Sequence, residues 1–195
     1  MGKRRLNVCE RSDRELVAGG LEGKFHFREA LYKRYFSYAM SIALRYAGDR
    51  NEAIEIVNDS FMKVLEKHGD YNANRPFKPW YGRIVVNTAI DSYREKRKDD
   101  ILISTDNTVY EDVKEPEIEI TLTVNDILAL FRHLPEIYKL TFNLYEIEGY
   151  DHKEIGQMLG ISTSTSRSNL SRAKKMLRQL YNKHINSMDK DNEAV

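Results

Sequence analysis

Apolar side chains recur at intervals of three and four residues through most of this chain, which places them on one face of an α-helix. In the front half this pattern predicts helices over residues 27–46, 51–68 and 80–98. A shorter helix is predicted to open at Ser12, which has glutamate three residues later in the arrangement of a capping box. That first helix is expected to break at three glycines, Gly19, Gly20 and Gly23.

The rear half shows the same helical spacing from about residue 121. Leu134-Pro135 is expected to end one helix and to start the next, because proline is tolerated in the first turn. The second of these helices is predicted to run to Gly149. Its apolar stripe consists of Ile137, Leu140, Leu144 and Ile147.

Near the C-terminus the chain has the pattern of a helix-turn-helix. Asp151 and Glu154 form a capping box, and Gly160 falls where the first helix must turn. Ser162 or Ser164 is predicted to cap the second helix, whose outer face is polar and basic. Such a helix fits a DNA major groove, and an ordinary helical hairpin with a solvated basic face is the alternative. The residues expected to contact DNA are Ser164, Thr165, Arg167, Ser168, Ser171, Arg172 and Lys175.

Residues 99–120 lack helical periodicity, are rich in acids and are interrupted by Pro116. We therefore predict an all-α fold with two helical domains, 12–98 and 121–181, joined by a flexible acidic linker. At ~3.3 Å per extended residue, a linker of about twenty residues reaches roughly 60–70 Å.

Composition and charge narrow the class of protein. The chain has 195 residues, of which 41% are hydrophobic and 31% charged, with a net charge of only +1. A DNA-binding chain with this balance must segregate its basic residues. Residues 165–178 contain five basic residues and no acid, whereas residues 99–120 contain eight acids and one lysine.

Other sequence features exclude several kinds of site. Cys9 is the only cysteine, so no internal disulfide or CxxC metal framework can form. No apolar run approaches the ~20 residues of a membrane span. The first ten residues lack the apolar core of a secretory signal. We expect a cytoplasmic protein with no membrane insertion and no cofactor.

The helix over 51–68 has two contrasting faces, one apolar and one largely acidic. An acidic stripe on a helix that already has a core face is either solvated or a docking surface for a basic or mixed partner. The apolar face carries Ala53, Val57, Phe61 and Val64, and the opposite face carries Glu55, Asp59, Met62 and Glu66.

The loop from Gly69 to Pro79 and the helix after it combine aromatic and basic side chains. This combination suits single-stranded nucleic acid, because unstacked bases stack on rings and phosphates pair with cations. The alternative is that Phe77 and Trp80 fill the core where the loop enters the helix. Asn87 suits adenine recognition, although a mid-helix asparagine is commonly a satisfied surface group. The candidate contacts are Tyr71, Arg75, Phe77, Trp80, Arg83, Asn87 and Arg94.

These two blocks, in this order, resemble the extracytoplasmic-function sigma factors, the small members of the bacterial sigma-70 family that direct RNA polymerase to promoters. The resemblance covers roughly residues 13–181. The segments similar to family region 2 are L-Y-K-R-Y-F (31–36), E-I-V-N-D-S-F (55–61) and F-K-P-W-Y-G-R-I-V-V-N-T-A-I-D (77–91), and those similar to region 4 are residues 134–162 and 168–174.

The resemblance implies a partner for each candidate surface. The loop over 71–81 and the Asn87 helix would recognise the melted −10 element with a base flipped from the stack. The helix from Ser164 would bind the −35 element in the major groove, while the linker passes near the RNA exit path of the polymerase. The family also implies contact with the polymerase flap and, commonly, with an anti-sigma protein. The residues that would dock on the clamp helices of the largest polymerase subunit are Glu55, Asn58, Asp59 and Met62.

The chain departs from the family pattern at three positions. Ser164 and Ser166 stand where many members have glycine and valine, and Asn58 stands where glutamine is common. On the inward stripe, Ser166 either weakens apolar burial slightly or bonds a backbone carbonyl one turn back. The shorter Asn58 reduces the reach into a partner.

The function expected from these features is that of a promoter-specificity subunit. A stand-alone DNA-binding regulator, whose front block senses a ligand or partner, is the alternative, and it would bind a duplex operator without polymerase. An enzyme is disfavoured because no glycine-rich phosphate loop, metal cluster or nucleophile–base pair is visible.

Overall fold

A computed structural model describes residues 11–66, 70–100 and 130–192, with side chains as far as residue 97 in the second range and 183 in the third. These residues form helices and contain no strand, in agreement with the all-α prediction. The front helices are α1 (Asp13–Leu21), α2 (Phe25–Tyr46), α3 (Arg50–Glu66) and α4 (Phe77–Asp100). The rear elements are α5 (Glu136–Phe142), a π-helical turn (Asn143–Ile147), α6 (His152–Leu159) and α7 (Thr163–Asn192).

The chain divides into two compact units, Met1–Tyr93 and Arg94–Val195. The predicted linker falls mainly on residues outside the described part, except that α4 remains helical through residue 100. The proposed domain limits therefore stay predictions. Among the described helices, none is both long enough and apolar enough to cross a bilayer.

Helix α1 begins with the predicted capping box, and the carboxylate of Asp13 connects it to α2. Ser12 Oγ accepts the backbone N–H of Glu15 at 3.4 Å, and the Glu15 carboxylate accepts the N–H of Ser12 at 3.1 Å. Asp13 accepts hydrogen bonds from Arg34 at 2.7 Å and from the hydroxyl of Tyr35 at 2.8 Å. These two bonds to the ionised form lower the pKa of Asp13.

The end of α1 corrects one prediction. The helix does not break at Gly19 and Gly20 but continues through both to Leu21, and both glycines are buried. These glycines serve close packing and do not end the helix. The ring of Phe27 occupies the space that a Cβ at Gly19 would need. The chain turns instead at Gly23, whose φ of 88° is readily adopted only by glycine.

Aromatic rings from α2, α3 and α4 pack together in the core of the front unit. The ring of Phe77 lies 4.9 Å from that of Tyr35 and 5.6 Å from that of Tyr81, measured between centroids. Phe61 on α3 meets Tyr81 edge-on at 6.4 Å. Each such pair contributes about 0.5–1.5 kcal/mol beyond the area that it buries. This cluster fixes the outward faces of the three helices relative to one another.

Helix α4 begins at Phe77 rather than at Trp80, so the preceding loop ends at Pro76 and not at Pro79. Pro79 is the third helical residue. The N–H groups of a first turn have no intrahelical partner, so a proline there removes no hydrogen bond.

The sequence spacing predicted a continuous α-helix after Pro135. The structure instead has α5 followed by the π-helical turn. Leu140 and Leu144 are buried as expected, but Ile147 is 45% exposed. The N–H of Glu148 bonds to the carbonyl of Asn143 at 3.0 Å, a π-helical spacing of five residues. The extra residue in this turn rotates the following side chains and moves Ile147 off the apolar stripe.

Candidate nucleic-acid and protein interfaces

Helices α6 and α7 form the predicted helix-turn-helix. The carboxylate of Asp151 accepts the N–H of Glu154 at 2.8 Å, and the Glu154 carboxylate accepts the N–H of Asp151 at 2.9 Å, which confirms the capping box. Ser162 Oγ accepts the N–H of Thr165 at 3.0 Å. Ser162, not Ser164, is therefore the cap that starts α7.

Two glycines allow the close turn between these helices, one at the end of α6 and one within it. Gly160 ends α6 in the left-handed conformation with φ of 67°. The N–H of Ile161 then bonds back to the carbonyl of Gly156 at 3.0 Å. A Cβ at Gly156 would lie only 2.8 Å from the carbonyl oxygen of Ile161, so this close crossing requires glycine. Ile161 itself is half-buried, consistent with its predicted place inside the turn.

The two faces of α7 separate as the sequence pattern predicted. Leu170 and Ala173 are buried, whereas Arg167 is exposed. Ser168 is half-buried, and its hydroxyl donates to the carbonyl of Ser164 at 3.1 Å. The candidate DNA contacts that are exposed on this helix are Ser164, Thr165, Arg167, Ser171 and Lys175.

Arg172 is placed differently from the other candidate DNA contacts. It is half-buried, and its Nη1 donates to the hydroxyl of Tyr138 on α5 at 3.1 Å. This bond directs the guanidinium toward α5, so the geometry supports a packing role in place of the predicted base contact. The partner lies 34 residues away in sequence, and no local pattern identifies it.

Three candidate side chains in the front unit share one side of α4. Trp80, Arg83 and Asn87 follow one another at intervals of three and four residues, which places them on the same helical face. Arg83 and Asn87 are exposed and Trp80 is half-buried. Arg94 is also exposed, two turns further along the helix, but it belongs to the rear unit. The face in the front unit offers a ring, an amide and a cation to a ligand.

The preceding loop places a second aromatic ring beside this face. The rings of Tyr71 and Trp80 lie 5.0 Å apart between centroids. The Tyr71 hydroxyl donates to the carbonyl of Arg75 at 2.7 Å, which ties the two ends of the loop turn together. Burial raises the pKa of Tyr71 further above the neutral range, in which a phenol is already an un-ionised donor. Arg75 is exposed at the end of this turn.

Phe77 is the exception among the candidates in this region. Its side chain is 4% exposed and belongs to the aromatic core. The ring therefore has no free face on which a base could stack, and its burial favours the alternative that Phe77 fills the core. Its role is to support Tyr71 and Trp80, whose ring centroids each lie 5.7 Å from its own.

Helix α3 presents the predicted acidic face to solvent. Glu55, Asn58 and Asp59 are exposed, and Met62 adds an apolar side chain that is 56% exposed. The hydroxyl of Tyr32 on α2 donates to Asn58 Oδ1 at 2.8 Å. This bond orients the amide and leaves its nitrogen to donate elsewhere. Tyr32 carries no sequence signal for this role, because its contact joins residues 26 positions apart.

The exposed charges of these surfaces have opposite signs. Arg167 and Lys175 give the outer face of α7 a positive charge, whereas Glu55 and Asp59 give that of α3 a negative one. The first surface suits an anionic ligand and the second a cationic or mixed partner. Within the described part of the chain, no three His, Cys, Asp or Glu side chains lie close enough to hold a metal ion.

Comparison with known families gives two matches in the order of the two helical blocks. Residues 31–99 match sigma-70 region 2, and residues 125–177 match sigma-70 region 4. The first match covers most of α2, all of α3 and all but the last residue of α4, and the second contains α5, α6 and the first half of α7.

Individual relatives show the same correspondence over most of the chain. The ECF RNA polymerase sigma factor SigM of Bacillus subtilis is 27% identical over 165 residues, covering 81% of this chain and 97% of the relative. RNA polymerase sigma factor SigV of the same organism is 30% identical, covering 70% of this chain and 80% of the relative. Among solved structures, the sigma factor RpoE of Bartonella quintana, in complex with the anti-sigma factor NepR, is 19% identical with a TM-score of 0.48, over 79% of this chain and 96% of that one.

Proposed function

This chain belongs to the extracytoplasmic-function group of the sigma-70 family, and we propose that it directs RNA polymerase to promoters by contacting two DNA elements. The observation that carries this proposal is the order of the matches, with region 2 on the front helices and region 4 on the helix-turn-helix. Sigma factors act in transcription initiation and are not enzymes, which agrees with the expectation that catalytic residues are absent.

The −35 element is the proposed ligand of α7. The exposed residues of its outer face supply hydroxyls and two cations, Arg167 and Lys175, over a helix of a width that fits the major groove. Arg167 is the best candidate for reading a base, since a bidentate arginine–guanine contact discriminates by about 1–3 kcal/mol. The hydroxyls of Ser164 and Ser171 suit phosphate oxygens, which position a helix without specifying sequence.

The −10 element is the proposed ligand of α4 and its preceding loop. Trp80 and Tyr71 supply rings on which unpaired bases can stack, and each stacked base contributes roughly 1–3 kcal/mol. Arg83 and Arg75 neutralise the backbone, and Asn87 offers an amide to a base edge. Preferential binding of unpaired bases at this surface would favour melting of the promoter, because it stabilises the open strand over the duplex.

The polymerase core is the proposed partner of α3. Its exposed face combines two carboxylates, Glu55 and Asp59, with the apolar Met62 and the oriented amide of Asn58. This mixture suits a helical partner that presents cations around an apolar strip, and the clamp helices of the largest polymerase subunit are the proposed partner. The flap of the polymerase is the corresponding proposed partner of the rear unit.

Joining two weak DNA sites in one chain raises the overall affinity through effective concentration, provided that the tether spans them. The chain would need polymerase because docking on it would hold the two tethered domains at the separation of the two DNA elements. We include an anti-sigma protein among the proposed partners, as is common in the family, and the cytoplasm as the place of action, since polymerase and promoter DNA are found there.

Run-off transcription tests this function. Core polymerase is assayed on a genomic promoter library with no added chain, with the chain, and with the Asp59→Lys variant, whose docking face is altered. The proposal predicts new transcription start sites in the sample that contains core polymerase and the unaltered chain, and in neither of the other two. Unchanged initiation would reject it. A gel shift with the purified chain and no polymerase separates the alternative, because a stand-alone regulator binds duplex DNA tightly by itself.

A further inference from the structure

One imidazole joins three elements of the rear unit. His152 is the first residue of α6, and its ring stacks on that of Tyr145 in the π-helical turn, with centroids 4.5 Å apart and planes inclined by 20°. Its Nδ1 lies 3.0 Å from Ser166 Oγ, near the start of α7. Ser166 therefore bonds to a side chain, and not to the backbone carbonyl that the sequence suggested as one of two outcomes.

Ser166 is fully buried, on the inward face of α7 beside Leu170 and Ala173. Apolar contacts such as theirs are non-directional and tolerate small rotations of a helix. A hydrogen bond to a buried hydroxyl is directional, and its loss leaves a buried polar group unsatisfied. Because Arg167 follows Ser166 directly, the rotation that satisfies this bond also sets the direction of the Arg167 side chain.

We propose that His152 is a positioning residue for the DNA-contacting face of α7, acting through its hydrogen bond to Ser166. The ring is itself held by the stack on Tyr145, whose place depends on the π-helical turn. This inference rests on the proposed binding of α7 to the −35 element. It adds a residue outside the contact surface that controls how well that surface matches DNA.

The charges around His152 favour the neutral imidazole. Burial, followed by the positive charges of Arg167 and Lys174 on α7, lowers its pKa, while Asp151 at the cap of α6 opposes the shift. Glu146 in the π-helical turn faces the same region and is paired with Lys174 at 2.8 Å. A lowered pKa in the folded state means that the unfolded chain takes up the proton more readily. The contribution of His152 to the stability of the unit is therefore fully present above about pH 6.5 and is lost as the pH falls below that value toward the lowered pKa.

Nitrogen-15 NMR of the imidazole in the full chain tests the hydrogen bond by itself. The bond predicts one fixed tautomer of the His152 ring at neutral pH. In Ser166→Ala the ring is expected to exchange between its two neutral tautomers. The same fixed tautomer in both proteins would overturn the inference, whatever the chain does to DNA.

Selection of promoter DNA by the holoenzyme, made from core polymerase and the full chain, tests the effect on DNA. The probe is a duplex library randomised over the −35 segment, and the measured quantity is the preference for the selected sequence over a scrambled one. Ser166→Ala and His152→Phe are expected to lose roughly threefold to tenfold of this preference, the equivalent of one hydrogen bond. His152→Asn is expected to retain it, because its amide reaches the position of Nδ1.

Thr141→Val is the matched control. Thr141 has a buried hydroxyl in the same unit, which donates to the carbonyl of Ile137 at 2.7 Å and takes no part in the hydrogen bond between His152 and Ser166. Loss of the Thr141 hydroxyl should lower the stability of the chain without changing the preference for the selected −35 sequence. Equal preference in Ser166→Ala and the unaltered chain would overturn the inference, as would an equal loss in Thr141→Val. If the unaltered holoenzyme selects no −35 sequence, the proposed function fails, and the role in DNA binding fails with it.

Discussion

Arg172 donates a hydrogen bond from Nη1 to the hydroxyl of Tyr138 at 3.1 Å, which joins the first half of α7 to α5. Arg167, five positions earlier on the same helix, is exposed on the outer face. The two arginines therefore have different surroundings. Arg172 joins α7 to α5, whereas Arg167 faces solvent on the outer face proposed to contact DNA.

Replacing these two arginines should produce opposite patterns. Arg172→Ala is expected to lower the free energy of unfolding by about 1 kcal/mol, through the lost hydrogen bond and the packing of its stem. Arg167→Ala is expected to leave stability nearly unchanged and to weaken −35 binding by roughly 1–3 kcal/mol if it reads a base. Chemical denaturation and binding of the holoenzyme to −35 duplexes measure the two effects. A selective loss of one promoter sequence in Arg172→Ala, with normal stability, would restore the base contact predicted from the sequence.

Gly156→Ala should damage the helix-turn-helix. The added Cβ would lie 2.8 Å from the carbonyl oxygen of Ile161, and backbone cannot yield as a flexible side chain does. We expect a loss of roughly 1–3 kcal/mol in stability, the range for overpacking, together with weaker −35 binding. Gln157→Ala, at an exposed neighbouring position of α6, is the control and should behave as the unaltered chain. A stable Gly156→Ala variant with normal binding would show that the turn can relax.

Asn87→Ala should reduce promoter opening more than polymerase binding. Asn87 is exposed on the face of α4 that carries Trp80, so its amide is available to an unpaired base and is not part of the core. Loss of the contact is expected to cost about 1–3 kcal/mol in open-complex formation. Permanganate reactivity of melted thymines reports opening, and a pull-down with core polymerase reports binding. An equal loss of both would indicate a folding defect.

Asp59→Lys should weaken association with the polymerase core. Reversing a charge on a face that meets a cationic partner places like charges together, which costs on the order of several kcal/mol. Glu29→Lys is the matched control, because Glu29 is exposed on α2 and lies outside the acidic face of α3. Competition binding to core polymerase compares the two variants. Equal affinity of Asp59→Lys and Glu29→Lys would remove Asp59 from the interface.

The local features of the fold were predictable, because their signals lie within a few residues. The capping boxes at Ser12 and Asp151 each require a glutamate three positions later, and both are present in the structure. The exposed faces of α3 and α7 followed from helical spacing alone. Most residues of the proposed binding surfaces could therefore be identified from the sequence.

The contacts that orient the surfaces were not predictable. The bond of Tyr32 to Asn58 spans 26 residues and that of Tyr138 to Arg172 spans 34, so neither leaves a local pattern. The π-helical turn has no characteristic residue type, and it rotated Ile147 away from its predicted place. Phe77 was ambiguous for a different reason, since an aromatic ring at the start of a helix suits both a core and a stacking surface.

Footprinting of promoter DNA tests the central claim most directly, with core polymerase alone, the chain alone, and the two together. The account predicts two separate signals that appear only in the combined sample. One is protection of duplex DNA at the −35 element, and the other is permanganate reactivity of melted bases at the −10 element. Arg167→Ala should diminish the first and Asn87→Ala the second. Protection of a single duplex site by the chain without polymerase, or no new signal in the combined sample, would contradict the account.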